Sequence, residues 1–263
     1  MPDGRVETSQ LGACAAEWTK ERWITVERWR VRYREAGTGP TIVLLHGLAV
    51  SADYWWRNGP ALAAAGYRVL APDLPGFGRT NGPPAGLSIP EQATALDAWA
   101  QRMHLEPAVY VGHSLSCQTV LQHAVWQPRR VAGLVLAAPT GDPARHRLLR
   151  QAIGLLRDAP RESWRLKVVV AQAYLRAGFR RAWNTWVAAA RNDALALATD
   201  ARSPGVVLLG TRDPVVGRDF AAALAASLPG GELRWIEGGS HAGIYDTARE
   251  FNGEVVRFTR SVL

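Results

Sequence analysis

Cysteine is scarce in this chain: Cys14 and Cys117 are the only two in 263 residues. That number excludes a disulfide framework, and no CxxC or Cys/His spacing suggests zinc. No apolar run approaches the roughly 20 residues that a membrane-spanning helix needs. The opening stretch MPDGRVETSQLGACAAEW lacks the apolar centre of a secretion signal. These absences predict a cytoplasmic protein with no membrane span, in which residues 1–20 form a loosely held arm. There is no internal repeat, and no low-complexity run beyond alanine-rich helix. Acidic residues are locally short as well. The formal charge is +8, and residues Pro143 to Asp200 carry eleven Lys and Arg against four Asp and Glu, a net of +7. Such a segment suits an anionic substrate or an acidic partner, or is simply a solvated, arginine-rich helical face. No Lys/Arg cluster interleaved with aromatics matches a nucleic-acid module, so nucleic acid is not an expected partner.

What is present is an ordinary globular composition, 48% apolar and 21% charged, with enough length for one large domain or one domain with an insertion. Trp23–Glu27 and Arg30–Arg34 alternate and stop at Gly37-Thr38-Gly39-Pro40, which predicts an edge hairpin. The runs TIVLL (41–45), YRVLAP (67–72), AVYV (108–111), VAGLVLAA (131–138), GVVLLG (205–210) and LRWIE (233–237) read as further strands. The central ones are continuously apolar, as strands covered on both faces should be. Helical patterns fall between them: Ala52–Ala65, Ser88–Met103 with Ser88 as N-cap and Glu91 three residues on, Leu115–Trp126, Arg218–Ser227 and Thr247–Thr259. The alternation predicts an α/β fold with a mostly parallel, doubly wound sheet. Only helical periodicity runs from residue 140 to 201, so this stretch is expected to be a helical cap inserted into a core of residues 21–139 and 202–263. Its expected seat is the C-terminal edge of the sheet, where open α/β sheets place their sites.

The chemistry starts at VGHSLSC (111–117), where a strand hands over to a helix. A sharp turn there exposes Ser114, and small residues such as Gly112 and Ser116 must flank it because strand and helix crowd together. Serine also N-caps helices well, so this heptapeptide alone leaves both readings open. The remaining parts come from other strand ends. LLHGLAVS (44–51) offers the backbone N–H of Leu48, and the elbow offers that of Leu115, as the two donors of an oxyanion hole. LLGTRDPVV (208–216) delivers Asp213, and EGGSHAGIY (237–245) delivers His241. Ser114, Asp213 and His241 thus each follow a strand, in an order that suits a nucleophile, its orienting acid and its base. His113 points away from Ser114 in such a turn and is expected to be structural. His46 is expected to hold the oxyanion loop by hydrogen bonding. His104 and His123 read as surface or packing residues, and His146 is unassigned.

Together LLHGLAVS, PDLPGFGRT (72–80), VGHSLS, GTRDPVV and GGSHAG resemble the α/β-hydrolase fold family, from about Ile24 to the C-terminus. Two positions depart from the family pattern: Ser116 stands where the elbow usually closes with glycine, and Thr80 where serine is common. The resemblance implies a serine hydrolase with a Ser-Asp-His triad acting through an acyl-enzyme on Ser114, most simply on a carboxylic ester of a small-to-medium apolar molecule. It leaves three other chemistries open: carbon–carbon bond hydrolysis of a diketone-like ring-fission product, thioester hydrolysis, and a non-hydrolytic cyclase or ligand-binding role. Serine at the elbow argues against haloalkane dehalogenase and epoxide hydrolase chemistry. Some family members draw the acid from an earlier strand end, which makes Asp142 the alternative to Asp213. No metal or organic cofactor is expected, since every part is side chain or backbone. Trp55, Trp183 and Trp186 are the candidate substrate contacts, and for Trp183 and Trp186 the competing reading is packing between cap and sheet. The sequence leaves the oligomeric state open.

Overall fold

The computed structural model describes residues 8–142, 154 and 164–263. His146 and the first part of the inserted segment lie outside the described residues. Eight strands are described: β1 (Arg22–Val26), β2 (Trp29–Ala36), β3 (Thr41–Leu45), β4 (Arg68–Pro72), β5 (Ala108–His113), β6 (Val131–Ala137), β7 (Gly205–Gly210) and β8 (Glu232–Ile236). They form one sheet in the order β1-β2-β4-β3-β5-β6-β7-β8. β2 runs antiparallel to β1 and β4, and all other neighbours are parallel.

The described helices are α1 (Thr8–Thr19), α2 (Gly59–Ala64), α3 (Ile89–Arg102), α4 (Ser116–Trp126), α5 (Trp164–Ala177), α6 (Phe179–Ala189), α7 (Ala194–Asp200), α8 (Arg218–Ala226), α9 (Gly243–Asp246) and α10 (Ala248–Val262). Because side chains alternate along a strand, each strand feeds two cores. Val43, Leu45, Tyr110, Leu134 and Val207 belong to one core, with residues of α3, α4 and α8. Ile42, Leu44, Val109, Val135 and Val206 belong to the other, with residues of α1, α2 and α10. Burial on both faces is the reason β3, β5 and β7 read as unbroken apolar runs. Helix α3 starts as its sequence predicts: the Ser88 side chain accepts from the Glu91 N–H, and the Glu91 carboxylate accepts from the Ser88 N–H at 2.8 Å.

Two expectations need correction. Residues 8–19 are not a loose arm but a helix whose Trp18 is fully buried against α2. The Arg34 guanidinium donates to the carbonyl of Trp18, which ties the helix to the sheet. The helix expected over Ala52–Ala65 is split into a 3-10 turn, Ala52–Trp55, and α2. Trp56-Arg57-Asn58 separates the two, and Pro60 falls in the first turn of α2, where its missing N–H costs nothing but would break a helix continuing from before.

Between β6 and β7 lie α5, α6 and α7. Helix α6 is fastened to the loop after β4 by Arg181, whose guanidinium donates to the carbonyls of Gly76 at 2.8 Å and Pro83 at 3.0 Å. Asn192, between α6 and α7, donates to the Gln118 side chain of α4 at 3.0 Å.

Candidate active site

Strand β5 ends at His113 and α4 begins at Ser116, so Ser114 and Leu115 make the whole turn. Ser114 has φ +55°, the left-handed region that non-glycine residues rarely occupy. Gly112 is required by closeness: a Cβ there would lie 2.7 Å from the Ser116 carbonyl oxygen and 2.8 Å from the Cys117 backbone. The N-cap position of α4 is Leu115, with no side-chain cap bond, so Ser114 is not capping the helix. Ser116 is buried, and its hydroxyl donates to the carbonyl of His46, the first residue after β3. The side chain that replaces glycine therefore joins the elbow to the loop beside it.

The structure brings Ser114, His241 and Asp213 into one hydrogen-bonded chain. Ser114 Oγ lies 3.0 Å from His241 Nε2, and His241 Nδ1 lies 3.0 Å from Asp213 Oδ2. A carboxylate accepts only, so Nδ1 carries the proton and Nε2 is left to accept from the serine hydroxyl. Asp213 is fully buried as a side chain, and its Oδ1 accepts from the N–H groups of Val215 at 2.7 Å and Val216 at 3.1 Å. Burial alone would raise its pKa. The interaction with His241 and the two backbone donors outweigh that, and the carboxyl stays below its ordinary value. The loops are laced together as well: Arg212 N–H donates to the Gly239 carbonyl at 3.0 Å. Asp142, the alternative acid, follows β6, and the place on Nδ1 of His241 is taken by Asp213.

The loop after β3 reaches the elbow closely. A Cβ on Gly47 would lie 3.5 Å from Ser114 Cβ. His46 Nε2 accepts from the Leu74 N–H at 3.0 Å, so its Nδ1 donates to the Gly47 carbonyl at 2.8 Å. That fixes a neutral tautomer, and complete burial lowers the His46 pKa accordingly. The N–H groups of Leu48 and Leu115 have no acceptor among the described residues. Beneath this loop sits an ionic cluster that the motif reading missed. Asp73, fully buried, accepts from the N–H of Ala52 at 2.7 Å and of Arg79 at 2.9 Å, and from Arg32 Nη1 at 3.2 Å. Arg32, also fully buried, donates from Nη2 to Asp53 at 2.6 Å. An alternating edge hairpin does not say which way its arginines face, and the tertiary structure turns Arg32 inward.

The predicted substrate contacts fare differently. Trp55 is a correction: it is fully buried, its ring 6.1 Å from Phe251 of α10, because the 3-10 turn rolls it inward and leaves Trp56 outside. Trp183 is 42% exposed and stacks on Phe179, so it is not packed between cap and sheet. Trp186 lies edge-on to Trp183, with centroids 5.7 Å apart. At the far end of α6, Ala189 packs with Leu115 and Ile89, and Leu48 packs against the same cluster. His113 Nε2 donates to the carbonyl of His241 at 3.0 Å, which makes His113 a support for the loop that carries His241. A cavity of about 340 Å³ lies at the opposite edge, at the starts of β7 and β8, and includes none of these residues. Among the described residues no three His, Cys, Asp or Glu side chains gather as a metal site.

Burial of the histidines predicts acid lability. Burial holds His113 down to about 3 and His123, packed on Tyr110, down to about 4. Unfolded, each titrates near 6.5, so below that pH the unfolded chain takes protons that the folded one refuses. Stability is therefore fully present above about pH 6.5 and falls as pH drops toward 4. Urea midpoints should be clearly lower at pH 5 than at pH 7.5, and His123→Leu should flatten the slope. Equal midpoints at the two pH values would contradict this reading.

Comparison with known proteins agrees with this architecture. A family model described as "Alpha/beta hydrolase family" matches residues 42–254. Over 216 residues the chain is 29% identical to bifunctional epoxide hydrolase 2 of Rattus norvegicus, covering 78% of this chain and 38% of that protein. The chain thus spans well under half the length of that relative. Among solved structures it is similar to the enol-lactonase of Burkholderia xenovorans LB400, with TM-score 0.74 and 22% identity over 90% of this chain and 99% of the other. It is also similar to a bromoperoxidase of Bacillus anthracis, with TM-score 0.75 and 20% identity over 92% of this chain and 100% of the other. Both structural likenesses concern the fold.

Proposed function

The chain belongs to the alpha/beta hydrolase family, and on that premise we propose that it is a serine hydrolase that cleaves a carboxylic ester through an acyl-enzyme on Ser114. The observation that carries the proposal is the unbroken chain Ser114 Oγ, His241 Nε2, His241 Nδ1 and Asp213 Oδ2, with both hydrogen bonds 3.0 Å long. His241 takes the hydroxyl proton as Ser114 Oγ bonds to the ester carbonyl carbon. Asp213 keeps the imidazole in the Nδ1–H tautomer and stabilises the imidazolium that forms. The carbonyl oxygen, now negative, receives the N–H groups of Leu48 and Leu115. Loss of one such donor typically costs about 2.7–4 kcal/mol. The alcohol leaves with the proton from His241. A water, deprotonated by the same imidazole, then releases the acid. Serine at the elbow is what separates this reading from the epoxide hydrolysis named for the rat relative.

The helices between β6 and β7 act in this proposal as a cap. Trp186 is three residues before Ala189, on the same side of α6, and Ala189 touches Leu115. That supports Trp186, with Trp183 behind it, as an apolar wall for the acyl or alcohol group.

Ser116 has a consequence for turnover. Removing its hydroxyl frees the His46 carbonyl and loosens the loop that presents Leu48. A hydrogen bond of this kind contributes about 1 kcal/mol, so Ser116→Ala should lower kcat about five- to tenfold with little change in KM. An unchanged kcat would show that the tie is idle. The assignment as a whole is tested on pure protein with p-nitrophenyl esters of increasing chain length, acyl thioesters and a diketone of the ring-fission type. Ester turnover that falls by orders of magnitude in Asp213→Asn but not in Asp142→Asn is expected. Turnover confined to the thioester or the diketone, or lost only in Asp142→Asn, would overturn it.

A further inference from the structure

Helices α5 and α6 carry a surface whose composition is lopsided. From Trp164 to Ala189 there are five Lys and Arg and no Asp or Glu. The two helices meet at Gly178, with φ +79°, and one side of that corner is exposed while Ala177 and Ala182 are buried on the other. Leu175 is 84% exposed and Phe179 is 81% exposed. Tyr174 and Trp183 are exposed beside them, and Phe179 lies nearly parallel to Trp183 with centroids 6.1 Å apart. Arg176 and Arg180 alternate with these apolar groups and are exposed too. Arg181 faces the other way, where its bonds to Gly76 and Pro83 fasten the corner to the body.

Isolated exposed apolar residues are ordinary, but a contiguous group rimmed by one sign of charge marks an interaction surface. Its shape and chemistry select the partner. Leu175 and Phe179 project from a helical corner rather than line a groove, so the surface offers wedges, not a socket. Aromatic rings at headgroup level, with Arg beside them, are what an anionic lipid surface accepts. We propose that the α5–α6 corner docks on an anionic bilayer, with Leu175 and Phe179 at the headgroup boundary and Arg176 and Arg180 on lipid phosphates. This is attachment to a surface, consistent with the described helices being too short and polar to span a membrane. Helix α6 then runs from the lipid toward Ser114: Phe179 stands at one end, and Ala189 packs on Leu115 at the other. Ten residues of helix separate them by about 15 Å. Docking itself does not depend on the hydrolase chemistry proposed above.

The test is co-sedimentation of the full chain at low ionic strength with vesicles of phosphatidylcholine, alone or mixed with phosphatidylglycerol. Partition should be at least tenfold stronger onto the mixed vesicles. The double variant Arg176→Gln/Arg180→Gln should weaken it by about 25-fold, at roughly fivefold per cation. Leu175→Ser/Phe179→Ser should abolish it, with thermal melting unchanged in both variants. No partition onto phosphatidylglycerol vesicles would overturn the proposal, as would partition equal in wild type and variants. So would a dimer in sedimentation equilibrium that Leu175→Ser/Phe179→Ser dissociates, because the face would then belong to a second copy of the chain.

Discussion

Ser114→Ala is expected to lower kcat on a short p-nitrophenyl ester by about 10⁵- to 10⁶-fold. The size follows from how the parts act as a unit: without the hydroxyl, His241 has nothing to deprotonate and no acyl-enzyme can form. What remains is water held near the N–H groups of Leu48 and Leu115, worth some 10³- to 10⁴-fold over solution in comparable sites. The fold should survive the change. Alanine is smaller than serine, and the bonds that hold the turn are backbone ones, including the Ser114 N–H to the Ala137 carbonyl at 2.9 Å. A variant that folds and keeps more than about a hundredth of wild-type kcat would place the nucleophile elsewhere.

Asp73→Ala should be the most destabilising single change near the site, by about 3–5 kcal/mol. Its carboxylate is fully buried and satisfies three groups at once: Arg32 and the N–H groups of Ala52 and Arg79. Truncation leaves the buried Arg32 guanidinium with Asp53 and Glu21 as its remaining partners. It also leaves the Ala52 N–H, just past the loop after β3, without an acceptor. Gly78 shows how tightly the cluster is built: a Cβ there would lie 2.2 Å from Asp73 Oδ2, and the residue has φ +58°. Urea unfolding measures the loss. A change below about 1 kcal/mol would mean that Asp53 and Glu21 compensate, and that the cluster is worth no more than a surface pair.

Strands β3, β5 and β7 were readable because each of their residues is buried against one helical layer or the other, which leaves a run of apolar letters. Ser114, Asp213 and His241 were readable for a related reason. Each sits in the first residues after a strand, and parallel strands bring those ends to one edge. Ser116 was visible only as a missing glycine; its bond to the His46 carbonyl joins residues 70 positions apart and has no local signature. The docking of the first helix was not legible because its partners, Gly59, Arg34 and Gly37 among them, lie far along the chain. Trp18 occupies the space above Gly59, where a Cβ would fall 2.3 Å from the indole ring. Neither residue announces the other in sequence. Trp55 and Trp56 are adjacent and chemically identical, and only the 3-10 turn decides that Trp55 goes into the core. The basic stretch could equally have been a solvated face; the exposed Leu175 and Phe179 beside its arginines are a tertiary fact.

The central claim is that Ser114 is an activated nucleophile, and labelling by a fluorophosphonate tests it without knowledge of the substrate. Peptide mass spectrometry of the labelled wild-type protein should find one phosphonyl group, on Ser114 of the VGHSLSC stretch. Ser114→Ala should take up none, and His241→Gln almost none. No label on the wild type, or equal labelling of wild type and Ser114→Ala, would contradict the account.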